Sequence, residues 1–326
     1  MLTAGHEHQS LLLAGSGPAC SWRGVVPRGC SQLASRHVGA VAAHAKASPR
    51  QRSSRRKRGS EYLYGLYPVL AALGARKRRF KQLWLGNVVP EQDDVAREIK
   101  ELASELVAAK KLEVRIEAAD SELVKMSRSQ EHEGAVLVAD SLPWVDLSAL
   151  PERKQGSLWI AADGITDHMN LAKVVQAAAF FEADGLVVSS RGSCRLGVLE
   201  SVATAGHAEV FPFFRSSELP SMLVQAREAG WCVLGTGPLK DDDAVAAWSC
   251  DDLPERLSQK ESSVVLVLGG EGSGLPREIR SVCDALLEVP GHAAGVDSLN
   301  LGVASGILLH ALRCALSERA NLDKRE

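Results

Sequence analysis

Residues 264–275, V-V-L-V-L-G-G-E-G-S-G-L, constrain this chain more than any other stretch. The run from Val264 to Leu268 is short, apolar and β-branched, which predicts a buried strand. Four glycines follow within six residues, Gly269, Gly270, Gly272 and Gly274, interleaved with Glu271 and Ser273. Pro276 then stands where a helix would begin. Strand, glycine loop and helix in that order place the loop at the carboxyl edge of an α/β sheet, where such proteins bind ligands. Glycine there permits positive φ and close approach of the backbone to a ligand. The same pattern also suits a tight β-to-α turn that holds nothing.

Two phosphate-binding patterns do not fit. The dinucleotide fingerprint needs glycines at its first, third and sixth positions, and no register of this loop supplies them. The P-loop pattern needs Gly-Lys-Ser/Thr after a four-residue gap, and Gly274 is followed by Leu275. The carboxylate of Glu271 would also repel a phosphate. A ligand here is neutral or cationic near the loop.

The rest of the chain supplies the setting. Residues 62–73 read as a helix ended by Gly74, followed by a basic knot of Arg76, Lys77, Arg78, Arg79 and Lys81. That knot suits either a solvated helix end or a contact to RNA phosphates. Strands are expected at 82–85, 112–116 and 135–139, with helices at 93–109 and 122–126, the latter capped by Ser121. After a linker over residues 141–157 the rhythm becomes β-α. Strands are expected at 158–162, 185–189, 231–235, 264–268 and 285–289, with 209–214 extended. Helices are expected at 171–183, 217–229, from Pro276 to 283, and 299–316. Such alternation predicts a mostly parallel sheet with helices on both faces. The domains are then 61–140 and 158–318, with a tail at 319–326.

Charge separates off the N-terminus. Residues 1–60 hold ten Lys/Arg and one acid, Glu7, which leaves 28 basic and 39 acidic residues of the totals of 38 and 40. A basic leader poor in acids reads as an organellar transit peptide, mitochondrial or chloroplast. The cluster from Arg52 to Arg58 alternatively suits a nuclear signal or an RNA-binding arm. Seven scattered cysteines without a Cys-x-x-Cys argue against structural zinc and disulfides. No apolar run reaches the roughly 18 residues of a membrane span.

Two further loops join the glycine loop at strand ends: D-G-I-T-D-H-M-N (163–170), and Val289-Pro290 leading through small residues to Ser298-Leu299-Asn300. Asn170 and Asn300 also suit helix caps. With these three stretches the chain resembles the SpoU (TrmH) family of SAM-dependent RNA ribose 2′-O-methyltransferases, in the SPOUT class. Asp163, Gly164, Asp167 and Asn170 match its first motif, residues 268–275 its second, and Pro290, Ser298, Leu299, Asn300, Val303 and Ala304 its third. Residues 61–140 resemble its L30e/L7Ae-like RNA-binding domain, through Tyr64-Gly65, Pro68-Val69 and His132-Glu133-Gly134. Within the family the likeness is to mitochondrial MRM-type rRNA methyltransferases.

The resemblance implies an α/β SPOUT fold with a C-terminal trefoil knot, a homodimer, an RNA substrate and S-adenosyl-L-methionine as methyl donor. It implies that Gly269, Gly270, Gly274, Val289, Pro290, Ser298 and Leu299 line the cofactor, and that Glu271, Asn300 and Asn170 lie near the chemistry. Three positions depart from it in the first motif: His168 stands for proline, Ala172 for glycine, and Gln176 for an arginine associated with the ribose hydroxyl. In the third motif Gly302 stands for serine. Glutamine carries no charge and is no general base. Lys173, one turn before Gln176, and His168 are candidate substitutes. An active rRNA enzyme, a tRNA enzyme and an inactive RNA-binding paralogue all remain compatible with the sequence.

Overall fold

The computed structural model describes residues 59–87, 93–128, 130–239, 244–258, 263–291, 295 and 298–322. The expected leader lies almost wholly outside them. The smaller sheet contains β1 (Glu61–Tyr64), β2 (Phe80–Gly86), β3 (Glu113–Ala118) and β4 (Ala135–Ala139), in the order β1-β4-β2-β3. Strand β4 runs antiparallel to both β1 and β2, and β2 runs parallel to β3. Helices α1 (Leu66–Ala75), α2 (Asp94–Ala108) and α3 (Asp120–Met126) accompany it. Asp93 caps α2 by accepting the Val95 amide at 2.8 Å.

Two expectations fail in this module. The helix expected at 62–73 starts only at Leu66, because Glu61–Tyr64 pairs with β4 and Gly65, at φ 92°, turns the chain between them. The apolar spacing runs through the break since Leu63, Leu66, Val69, Leu70 and Leu73 all enter one core. Helix α3 begins at Asp120 without a side-chain cap, so Ser121 is inside it.

The larger sheet contains β5 (Leu158–Asp163), β6 (Gly185–Ser189), β7 (Phe213–Ser216), β8 (Cys232–Thr236), β9 (Ala246–Ser249), β10 (Val264–Gly269) and β11 (Ala285–Glu288). Its order is β7-β6-β5-β10-β8-β11-β9, and every pairing is parallel. The continuous apolar strands are explained by burial on both faces. Leu158, Ile160, Val264, Leu266 and Leu268 enter one core, while Trp159, Ala161, Val265 and Val267 enter the other. From β5 the chain moves outward to β6 and β7, then returns to lay β8 and β10 on the other side. The carboxyl ends of the neighbours β5 and β10 therefore flank the sheet's switch point, where open α/β sheets form a crevice.

The helices of this domain are α4 (His168–Phe180), α5 (Val198–Ala203), α6 (His207–Val210), α7 (Leu219–Glu228), α8 (Leu253–Ser258), α9 (Arg277–Arg280) and α10 (Leu301–Leu322). Helix α4 starts three residues before the expected position, because Asp167 caps it by accepting the Met169 amide at 2.8 Å. The segment expected to be extended at 209–214 is α6 followed by β7, and α5 precedes it unexpected. The helix after Pro276 is one turn. The expected linker is tied to β7 by an Asp146–Arg215 bridge and buries Leu147. Helix α10 runs past the expected domain end at 318.

The two modules share a close interface. A Cβ on Gly206, which has φ 90°, would lie 2.6 Å from the Ala71 methyl and 2.8 Å from the Tyr67 carbonyl, so α1 and the α5–α6 turn touch backbone to backbone. Beside it Arg78 donates to both oxygens of Glu209, to Glu61 at 2.6 Å and to the Asp140 carbonyl at 3.2 Å. Lys77 donates to the carbonyls of Val210 and Phe211 at 3.0 and 3.1 Å. Arg78 and Lys77 therefore fit neither expectation for the basic knot, a solvated helix end or a contact to RNA phosphates. Arg78 is buried and Lys77 is turned inward; Arg76 pairs with Glu105 and Lys81 with Asp140. Arg79 is exposed.

Candidate active site

The first two loops meet backbone to backbone at the switch point. Gly269 lies opposite Asp163 in the β5–β10 register. A Cβ on Gly270 would lie 2.3 Å from the Gly164 carbonyl oxygen, and one on Gly269 would lie 2.5 Å from the Gly274 carbonyl carbon. No side chain fits at either position. The glycine loop closes on itself through Gly274 N–H to Gly270 C=O at 3.2 Å, with Gly274 at φ 64°. On the other loop, the Gly164 amide donates to Ser193 Oγ at 3.1 Å and to Ser189 Oγ at 3.4 Å.

A chain of amides joins all three loops. Glu271 accepts from Asn170 Nδ2 at 2.8 Å and from Thr166 Oγ1 at 3.2 Å. Asn170 Oδ1 accepts from Asn300 Nδ2 at 3.0 Å, and Asn300 Oδ1 accepts from the Gly302 amide at 3.0 Å. Asn300 thus caps α10, whereas Asn170, buried within α4, is not a cap. The relay runs from the positive N-terminal end of α10 to the carboxylate, and each amide's orientation is set by its neighbours. Val289 and Pro290 follow β11, while Ser298 and Leu299 are exposed just ahead of Asn300. Residues 163–170, 269–275 and 289–300 contain no Lys or Arg.

Gln176 is exposed on α4, two turns beyond the buried Asn170, and takes no part in this chain of bonds. Lys173 lies across Gly302: a Cβ there would meet the Lys173 side chain at 2.5 Å, so a serine at 302 would collide with it. His168 is in direct contact through Nδ1 with Glu200 on α5, and Glu200 is buried. Cys194 lies beside them, its thiol pushed up to about 11 by burial first and then by the field of Glu200. The sequence pointed to neither Glu200 nor Cys194. Thr166, also missed, lies inside the first motif and offered a signal.

Residues 157–310 match the SpoU rRNA Methylase family, and residues 62–145 match the RNA 2′-O ribose methyltransferase substrate binding family. Mitochondrial rRNA methyltransferase 1 of Homo sapiens is 32% identical over 261 residues, covering 77% of this chain and 72% of that one. The chain belongs to the SpoU family. The 23S rRNA (guanosine-2′-O-)-methyltransferase RlmB of Pseudomonas aeruginosa is 31% identical over 255 residues, covering 76% and 94%. Among solved structures, an AdoMet-bound rRNA methyltransferase from Sinorhizobium meliloti superimposes with a TM-score of 0.62 at 24% identity, covering 78% and 87%. The SpoU methyltransferase AviRb from Streptomyces viridochromogenes gives 0.59 at 20%, covering 90% and 98%. These structures share the SpoU fold: a small N-terminal substrate-binding domain and a parallel α/β sheet.

Proposed function

We propose that this SpoU member transfers a methyl group from S-adenosyl-L-methionine to a ribose 2′-hydroxyl of mitochondrial large-subunit rRNA. The observation that carries this reading is the Asn300–Asn170–Glu271 chain, which leads a carboxylate to a glycine-walled crevice whose three loops carry no Lys or Arg. Such a crevice suits a neutral adenosine joined to a cationic sulfonium and disfavours a phosphate. Gly269, Gly270 and Gly274, with Val289, Pro290, Ser298 and Leu299, would hold the methyl donor through backbone and small side chains. When bound, it supplies a methyl group made electrophilic by the adjacent sulfonium. Glu271 offsets the positive charge of the transferring methyl, and Asn170 and Thr166 hold that carboxylate in place. Lys173 and His168 stand nearest in the sequence to the place of the absent arginine.

A mitochondrial site of action follows the names of the relatives in Homo sapiens and Schizosaccharomyces pombe. Homodimerisation is supported by the exposed apolar row Leu299, Val303 and Ile307, spaced four residues apart from just before α10 into its first turns. An inactive RNA-binding paralogue is the second reading, favoured by Gln176. Mapping 2′-O-methyl sites in cells that lack the protein separates these readings. Loss of a mitochondrial rRNA site supports the proposal. Loss of a tRNA site instead, or of none, overturns it.

A further inference from the structure

Outside the amide chain lies a second group of side chains. One donor atom from each of His168, Cys194 and Glu200 lies within 4.8 Å of the others. They come from the start of α4, the loop after β6, and α5. Glu200 retains 1% exposure. One of its oxygens accepts the Gly197 amide at 2.8 Å, and the other faces His168. Among the described residues it pairs with no Lys or Arg, so a buried carboxylate lacks a permanent cationic partner. Cys194 lies in the same negative field, to which Glu271 and Asp167 also contribute.

We infer that His168, Cys194 and Glu200 form a zinc site with three protein ligands and an outer position open to water. Imidazole, thiolate and carboxylate are the donor types that zinc takes, and a mixed N/S/O set favours this borderline-soft ion over magnesium or calcium. Zinc bonds of about 2.0–2.3 Å hold ligand atoms within about 4 Å of one another, so small side-chain rotations close the set. The ion neutralises Glu200. It also converts the Cys194 thiol to a thiolate and releases that proton to solvent. His168 stays half exposed, which leaves an entry path. The metal would then clamp the start of α4, two residues before Asn170, to α5.

The test uses the full chain, stripped with a chelator and titrated with Zn2+ alone, with Co2+ as the spectroscopic probe. One equivalent of metal is expected at this site, with a thiolate-to-cobalt charge-transfer band and a rise in Tm. Cys194→Ser should abolish the band, and Cys194→Ser or Glu200→Gln should weaken zinc binding by more than about tenfold. Cys314→Ser should leave both unchanged, although Cys314 lies 3.5 Å from His310. Absence of stoichiometric zinc overturns the inference. So does a thiolate band that survives Cys194→Ser, since the ion would then be held by another of the seven cysteines. Neither readout depends on methyl transfer, so the site stands or falls apart from the proposed function.

Discussion

Arg78 and Glu209, 131 residues apart in the chain, form an ion pair in which neither side chain retains any solvent exposure, with Nη2 and Oε1 2.8 Å apart. Removing one member of such a pair leaves an uncompensated buried charge at a cost of about 3–5 kcal/mol. Arg78→Met is expected to lower the unfolding free energy by that order in a urea titration. Arg78→Met with Glu209→Leu should recover part of the loss, because no fully buried lone charge remains; Glu61, the other partner of Arg78, is partly exposed. A single variant as stable as the parent would refute this account of the interface.

Burial pulls the Lys77 ammonium from its ordinary 10.5 down to about 8, against the attraction of Glu209. Between those values the unfolded chain holds a proton that the folded chain has released, so stability at this site rises with pH across the window. Below about 8 the cost of burying the charge is fully present. The difference in unfolding free energy between wild type and Lys77→Met should therefore move towards the wild type as pH is raised from about 8 to about 10. A difference that stays flat, or moves the other way, contradicts the assignment.

Gly270 and Gly272 lie two residues apart and differ in surroundings. A methyl at 270 would meet the Gly164 carbonyl oxygen at 2.3 Å, whereas one at 272 meets nothing within 4 Å. Gly270→Ala must push the first two loops apart. It is expected to weaken S-adenosyl-L-methionine binding by more than about tenfold in calorimetry, or about 1.4 kcal/mol. Gly272→Ala should bind as the wild type does. Equal affinity in both variants would show that the contact between the loops does not shape the pocket.

Asn170→Ala removes a donor from Glu271 and an acceptor from Asn300 at once. Loss of one positioned group in a preorganised polar site costs about 10²-fold in kcat. That loss is expected in single-turnover methyl transfer, with a smaller one for Thr166→Val, which leaves the Asn170 bond to Glu271 intact. Full activity in Asn170→Ala would remove the amide relay from the reaction.

Much of the larger sheet was legible, because a strand buried on both faces is written as an unbroken apolar run, as at 158–162 and 264–268. The glycine loop was legible because its pattern excludes both phosphate-binding arrangements. What was not legible depends on distant partners. Residues 198–210 bury Glu200, Ser201, Thr204 and Glu209 while Leu199 is exposed, so the apolar spacing does not mark the buried face. Its burial is satisfied by His168 and Arg78, and no local pattern announces them. The basic knot misled for the same reason: charge density shows in a sequence, but Glu209 as its destination does not. At 62–73 one hydrophobic period spans a strand, a positive-φ glycine and a helix, since all three line a single core.

The backbone contact at Gly206 and the ion pair at Arg78 also bear on how a target nucleotide would be chosen. They leave little freedom for the small module to slide or tilt on the larger one. An RNA gripped by the small module would present its ribose to Glu271 at a set stride. Selection would then be a matter of measurement as well as of base identity. Lengthening or shortening the RNA stem between grip and target would carry the wrong sugar into the crevice, or none.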